Sequence, residues 1–287
     1  MRIPSPGTGI AAPAVMLASG LSLYAGAAVA VGLFDALPPV IVAWFRISAA
    51  AVILLVLVRP GVQEFLGRSG AQAAVYGIAT MGMNMSFYEA IARLPLGTAV
   101  AVEFLGPVLV AALGSRSVRD WAALLLATIG VVVISGAVWS TSADGLFFAL
   151  LAGGLWAVYI VVGTRIVGGS TSPRKSMTVG FSIAAVLALP VMVALWPDAV
   201  VTAEGVTLPA TQLLALALGL GVLSAVIPYS LDQVVMRMAG ASYFALLQAL
   251  LPVTAALLGA VALGQWLSVP EIIGIVLVVA AVALRRP

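Results

Sequence analysis

The sequence predicts an all-α polytopic membrane protein: ten transmembrane helices in two inverted five-helix repeats, with both termini cytoplasmic. Three observations predict it. First, 63% of the 287 residues are hydrophobic and only 8% are charged, where a soluble globular chain carries roughly 25% charged residues. Second, the apolar stretches run for about twenty residues, the length a helix needs to cross a hydrocarbon core of about 30 Å. A transmembrane barrel is excluded, because its strands alternate apolar and polar over about ten residues. Third, the basic residues fall almost wholly in alternate loops.

Charges, Pro/Gly clusters and polar breaks divide the chain in order. Arg2 precedes the first span, 11–33, which is too long for a signal peptide and is read as an uncleaved helix. Asp35 and Pro38 separate it from the second, 38–58, which Arg59 and Pro60 close. The third, 71–92, follows Arg68 and ends at Arg93, and Pro95 opens the fourth, 96–114. Arg116 through Asp120 lead into the fifth, 120–139, and the polar run to Asp144 leads into the sixth, 144–164. Gly168 to Lys175 precede the seventh, 174–196, and a long polar loop from Pro197 precedes the eighth, 211–235. Arg237 to Gly240 lead to the ninth, 240–263, and Gly264 to Ser268 to the tenth, 269–284.

With the N-terminus in the cytoplasm, eleven of the thirteen Lys and Arg lie inside. Arg93 alone lies outside, and Arg46 lies within a span. This is the positive-inside bias, and it places the chain in the plasma (inner) membrane as a multi-pass protein. The lipid bilayer is thus one partner, and the dispersed bases give no nucleic-acid surface.

The chain has no cysteine and no histidine. Disulfides, Cys/His metal sites and imidazole-based triads are therefore excluded. Its single lysine, Lys175, falls in a loop, and no G-x-x-x-x-G-K-[ST] run is present. The reading is no enzyme, no cofactor and no metal.

Two parts of the chain echo each other. Pro107 and Trp121 are spaced like Pro252 and Trp266, and Ala18, Gly20, Leu21, Pro39 and Ser48 recur 134 positions later as Ala152, Gly154, Leu155, Pro173 and Ser182. The offset grows to 145 by Pro252 because the loop after the seventh span is longer. The repeats are 11–139 and 144–284. Five spans is an odd number, so the second repeat enters the membrane inverted, an architecture that secondary transporters use for alternating access.

Glu103 lies about seven residues into the fourth span and Arg46 about eight into the second, roughly 10–12 Å deep at 1.5 Å per residue. Charges at such depth are costly and usually functional. Glu103 is expected to take a substrate amine or a coupling proton, and Arg46 a substrate carboxylate or a gating role on Glu103. A buried pair between them that merely orders the bundle is the competing reading. Pro107 leaves the Glu103 carbonyl without its helical donor, and Pro252 is expected to do the same for Gln248. Both prolines are candidate hinges. Asn84 with its neighbouring methionines, and Trp156 and Tyr159 in the sixth span, are expected to line the cavity together with Tyr24. Glu89 and Arg93, four apart, and Asp232 with Arg237 are candidate gates at opposite ends.

The run Pro95-Leu96-Gly97-Thr98-Ala99-Val100-Ala101-Val102-Glu103-Phe104-Leu105-Gly106-Pro107 resembles the threonine/homoserine exporter branch of the drug/metabolite transporter superfamily. Met83-Asn84 with Phe87-Tyr88, Trp156-Ala157-Val158-Tyr159-Ile160 and Pro228-Tyr229-Ser230-Leu231-Asp232 resemble it too. The resemblance covers essentially the whole chain as two EamA-type repeats. It implies export of amino acids or related metabolites, with a cavity lined by the first, third, fourth, sixth, eighth and ninth spans. The second half departs from the pattern: Leu251 precedes Pro252 where the family usually has Glu, and Gly264-Gln265 replaces a Gly-Glu pair. Glu103 is left as the one acid deep in a span, so proton antiport must rest on it or be absent. Export of drugs or other metabolites on the same scaffold, and a non-transporting membrane scaffold or assembly protein, are the alternatives.

Overall fold

The computed structural model of the chain describes residues 8–113, 118–167, 172–202, 204–205, 207–228, 230–231, 234–235, 247–248 and 250–284. Among these residues the chain is helical, with one isolated antiparallel bridge between Val201 and Thr207. The elements are α1 (Thr8–Val31), α2 (Pro39–Val58), a 3-10 turn (Val62–Phe65), α3 (Gly67–Ile91), α4 (Leu96–Glu103), α5 (Leu105–Leu113), α6 (Val118–Val167), α7 (Pro173–Ala194), α8 (Ala210–Gly221) with a π-helical turn (Val222–Val226), α9 (Leu250–Leu263) and α10 (Val269–Leu284).

Local chemistry fixes the ends. Pro39 and Pro173 stand at the starts of α2 and α7, where a missing N–H costs nothing and the fixed φ suits a helix. Arg59 closes α2 in the left-handed region at φ 49°, donating its N–H to the Leu55 carbonyl. The 50 residues of α6 are two helices joined through a kink at Ser142, whose backbone is not helical (φ −157°, ψ 66°), so they hold the predicted fifth and sixth spans. The fourth span is divided in turn at Phe104 into α4 and α5. Counted this way, the described residues hold ten helical segments close to the ten expected. Four are long and apolar enough to cross a membrane: Ala11–Val31, Pro39–Val58, Ser142–Gly163 and Pro173–Ala194. Five shorter ones are apolar as well. The remaining helix, α3, is the polar one, and its polar residues Thr80, Asn84 and Ser86 are buried against its neighbours.

The surface is the inverse of a soluble protein's. Val56 and Leu57 on α2, Val186 and Leu187 on α7 and Val261 on α9 are all exposed. Apolar faces of that extent are stable against lipid tails and not against water.

Small residues set the packing, as they do wherever helices must approach in lipid. A Cβ added at Gly77 would lie 1.9 Å from the carbonyl oxygen of Gly180, bringing α3 onto α7, and one at Gly221 would meet Ala49, bringing α8 onto α2. Gly106 meets Gly153, joining α5 to α6, and Gly20 meets Leu251, joining α1 to α9. The last two contacts answer each other. The offset of 145 carries Gly106 onto Leu251, and the offset of 134 carries Gly20 onto Gly154, one residue from Gly153. Gly97 on Ala256 and Gly130 on the Gly274 carbonyl join the fourth span to the ninth and the fifth to the tenth.

Candidate functional site

The site begins with a helix that cannot continue. Pro107 has no N–H to give the carbonyl of Glu103, and α4 ends there. Phe104 still donates to the Val100 carbonyl at 3.1 Å, and Val108 resumes the ladder on the Phe104 carbonyl at 3.3 Å. Gly153 lets α6 press against this break, since a Cβ there would stand 2.7 Å from the Glu103 carbonyl oxygen. The Phe104 ring meets Trp156 edge-on at 5.0 Å. Glu103 is buried, 7% exposed.

Arg46, on α2, is 4% exposed. Its Nε and Nη2 donate to the Ser224 carbonyl at 3.1 and 2.5 Å, and its Nη1 donates to Asn84 Oδ1 at 2.5 Å. Asn84 Nδ2 donates to the Thr80 carbonyl at 2.7 Å, which fixes the amide's orientation. The guanidinium lies over the Tyr88 ring, 5.8 Å from its centroid. Ser224 sits inside the π-helical turn. Such a turn shifts the backbone ladder by one residue and is found most often where a carbonyl is used for something other than the helix.

The expected pair between Arg46 and Glu103 is not made. Arg46 is close enough for its charge to act on Glu103, yet no ion pair or hydrogen bond joins them among the described residues. The guanidinium is instead turned to the Ser224 carbonyl and Asn84 Oδ1.

The other expected residues divide. Asn84 and Trp156 stand with Arg46 and Glu103. Tyr24 is buried in the same core cluster. Tyr159 instead stacks on Tyr76 at 4.7 Å, in a second cluster with Phe181. Gln248 is half-buried, and its carbonyl is not bare: the Leu251 N–H donates to it at 3.0 Å. Leu247 is helical, Gln248 is in a turn and the helix has resumed by Leu250, so a break lies four residues before Pro252, as one lies at Phe104 three residues before Pro107. Glu89 and Arg93 form the expected ion pair, with Arg93 also over the Phe148 ring. Asp232 and Arg237 lie outside the described residues. Among the described residues no cluster of His, Cys, Asp and Glu could hold a metal. An open recess of about 450 Å³ between Trp44, Met192, Trp196 and Asp198 includes neither Arg46 nor Glu103.

Sequence reasoning missed a second buried acid. Glu271 accepts from Thr98 Oγ1 at 2.6 Å, from the Ser268 N–H at 2.9 Å and from Ser268 Oγ at 2.7 Å. It thereby ties α10 to α4. Gln265 Oε1 accepts the Leu96 N–H at 2.9 Å, capping the free start of α4. A signal existed: Ser268-Val269-Pro270-Glu271 has the S-x-x-E spacing of a capping box. Tyr88 Oη, buried with no partner, was also missed.

Residues 143–285 match the model of the EamA-like transporter family. The threonine/homoserine exporter RhtA of Salmonella typhimurium (strain LT2) is 31% identical over 270 residues, which cover 93% of this chain and 88% of the relative. The chain belongs to the EamA-like transporter family. The threonine/homoserine exporter RhtA of Escherichia coli (strain K12) is 29% identical over 275 residues with the same coverage. A solved crystal structure at 19% identity superposes with a TM-score of 0.62, covering 96% of this chain and 97% of its own, and so shares the fold. This EamA-like transporter is a multi-pass membrane protein, and its lipid-facing apolar shell follows from that.

Proposed function

We propose that this EamA-like transporter is a secondary active exporter of small amphipathic metabolites, threonine- or homoserine-like amino acids first among them, working by alternating access in the plasma (inner) membrane. One observation carries the reading: an acid and a base buried among neighbouring helices, neither with an ionic partner. A zwitterion brings both missing charges at once, an ammonium for Glu103 and a carboxylate for Arg46. The relatives named as threonine/homoserine exporters support that substrate class.

Coupling follows from one acid having two uses. Glu103 holds either a proton or the substrate's amine, and a site that must give up one to take the other exchanges them across the membrane. The two halves, 11–139 and 144–284, lie inverted around this site with both termini cytoplasmic. Glu89 with Arg93 closes one end, and Asp232 with Arg237 closes the other.

The test is uptake of labelled threonine into proteoliposomes of the purified protein, with and without an imposed pH gradient. Accumulation that follows the gradient is expected. Glu103→Gln is expected to fold and insert normally and to lose flux. A folded Glu103→Gln protein that still concentrates threonine along the gradient would refute the antiport. Misfolding of Glu103→Gln would make Glu103 a structural residue.

A further inference from the structure

Arg46 carries five N–H donors, and three are spent, two on the Ser224 carbonyl and one on Asn84 Oδ1. One N–H remains on each terminal nitrogen. Both acceptors are neutral, and the Tyr88 ring beneath the guanidinium offers only its quadrupole. A buried cation is ordinarily matched by an anion. Here none of the described acids lies within 4 Å of it. Tyr88 itself is 0% exposed, and its hydroxyl is among the buried polar atoms without a hydrogen-bond partner. A buried hydroxyl that donates to nothing within the fold is a donor available to a ligand.

We infer that Arg46 and Tyr88 form a carboxylate-binding subsite in which Tyr88 decides specificity. Arg46 keeps two unused N–H groups, the Tyr88 ring under it, 5.8 Å away at its centroid, keeps one unused O–H, and a carboxylate brings two oxygens and a single negative charge to such donors. Ser224 and Asn84 hold the guanidinium in place, so the ligand need not organise it. The assignment rests on the exporter reading and deepens it: the carboxylate end of the substrate goes to α2 and α3, which leaves Glu103 for the amine. Substrates without a carboxylate are rejected because they leave these donors unpaired, a form of discrimination worth far more than a difference in size.

The experiment is calorimetric titration of the detergent-purified full chain, as wild type and as Tyr88→Phe, with L-threonine and with L-threoninamide, whose carboxylate is replaced by an amide. Removing an unpartnered hydroxyl should leave the melting temperature unchanged or higher, so loss of binding is not loss of fold. Wild type is expected to prefer threonine over the amide by at least about tenfold, and Tyr88→Phe to weaken threonine by about tenfold while leaving the amide unaltered. Threonine bound equally by both proteins, or threonine and its amide bound alike by wild type, overturns the subsite and leaves the exporter standing. Wild type that binds neither overturns the exporter reading and the subsite with it.

Discussion

Consider Gly106→Ala, with Gly154→Ala as its control. A Cβ at Gly106 would stand 1.9 Å from the carbonyl oxygen of Gly153 and 2.7 Å from its carbonyl carbon. Backbone cannot rotate away as a side chain can, so α5 and α6 must part by roughly 1 Å or more to restore contact distance. Overpacking of this kind costs about 1–3 kcal/mol and occasionally more, against a gain of about 1 kcal/mol for replacing glycine in a helix. The contact is at the upper end, and a net loss of about 2 kcal/mol follows. Gly154, two residues before Trp156, has nothing within 4 Å of its added Cβ. The same substitution there keeps the helical gain and meets no clash. Thermal unfolding in detergent should therefore separate the two by roughly 5–10 °C in opposite directions from wild type. Threonine flux should fall in Gly106→Ala alone, because α6, which carries Trp156 and packs Gly153 on the Glu103 carbonyl, is then pushed off the site. Equal melting temperatures for the two variants would refute the packing on which the site geometry depends.

The remaining predictions concern single bonds. Thr98→Val keeps the side chain's shape but removes the 2.6 Å bond to Glu271; a bond to a charged acceptor is worth about 1.5–3 kcal/mol. A lowered melting temperature with unchanged half-saturation by threonine is expected, and a changed half-saturation would mean that Glu271 takes part in binding. Asn84→Asp puts an anion on Arg46 Nη1 where the amide oxygen now sits at 2.5 Å. Arg46 would then own the counter-ion it lacks, and the half-saturating threonine concentration should rise at least about tenfold in the flux assay with the fold intact.

The frame was legible because lipid leaves the backbone few choices. Span boundaries at Pro39, Pro95, Pro173 and Ser268 were written in helix-starting residues, and the structure meets them within a few positions. Glu103 and Arg46 were legible as charges where charge is costly. Their relation was not. Equal depth said they could touch, but depth carries no azimuth, and the azimuth of Arg46 is decided by the Ser224 carbonyl, 178 residues away. No side chain announces a backbone carbonyl turned out by a π-helical turn. Gln248 failed for a related reason: Pro252 removes one donor, and the chain found another in Leu251. Glu271 was passed over because a count of charges per loop ignores what a capping acid can reach.

The asymmetry between the halves says where the chemistry was put. The early offset carries Arg46 onto Gly180, and the late offset carries Glu103 onto Gln248. At the counterpart of Arg46, a Cβ would stand 2.4 Å from the Ala73 carbonyl oxygen, so α7 lies flat against α3 with no room for a side chain. At the counterpart of Glu103, an amide replaces the acid. For the exporter proposed above, related halves would supply the two packings that alternating access needs. One acid and one base between the halves would suffice for the exchange proposed above, because each packing would present the same two groups to a different side. A second acid at position 248 would add another charge to desolvate and a competitor for Arg46. The exchange proposed above needs no second acid, because in it one substrate and one proton share one carboxylate.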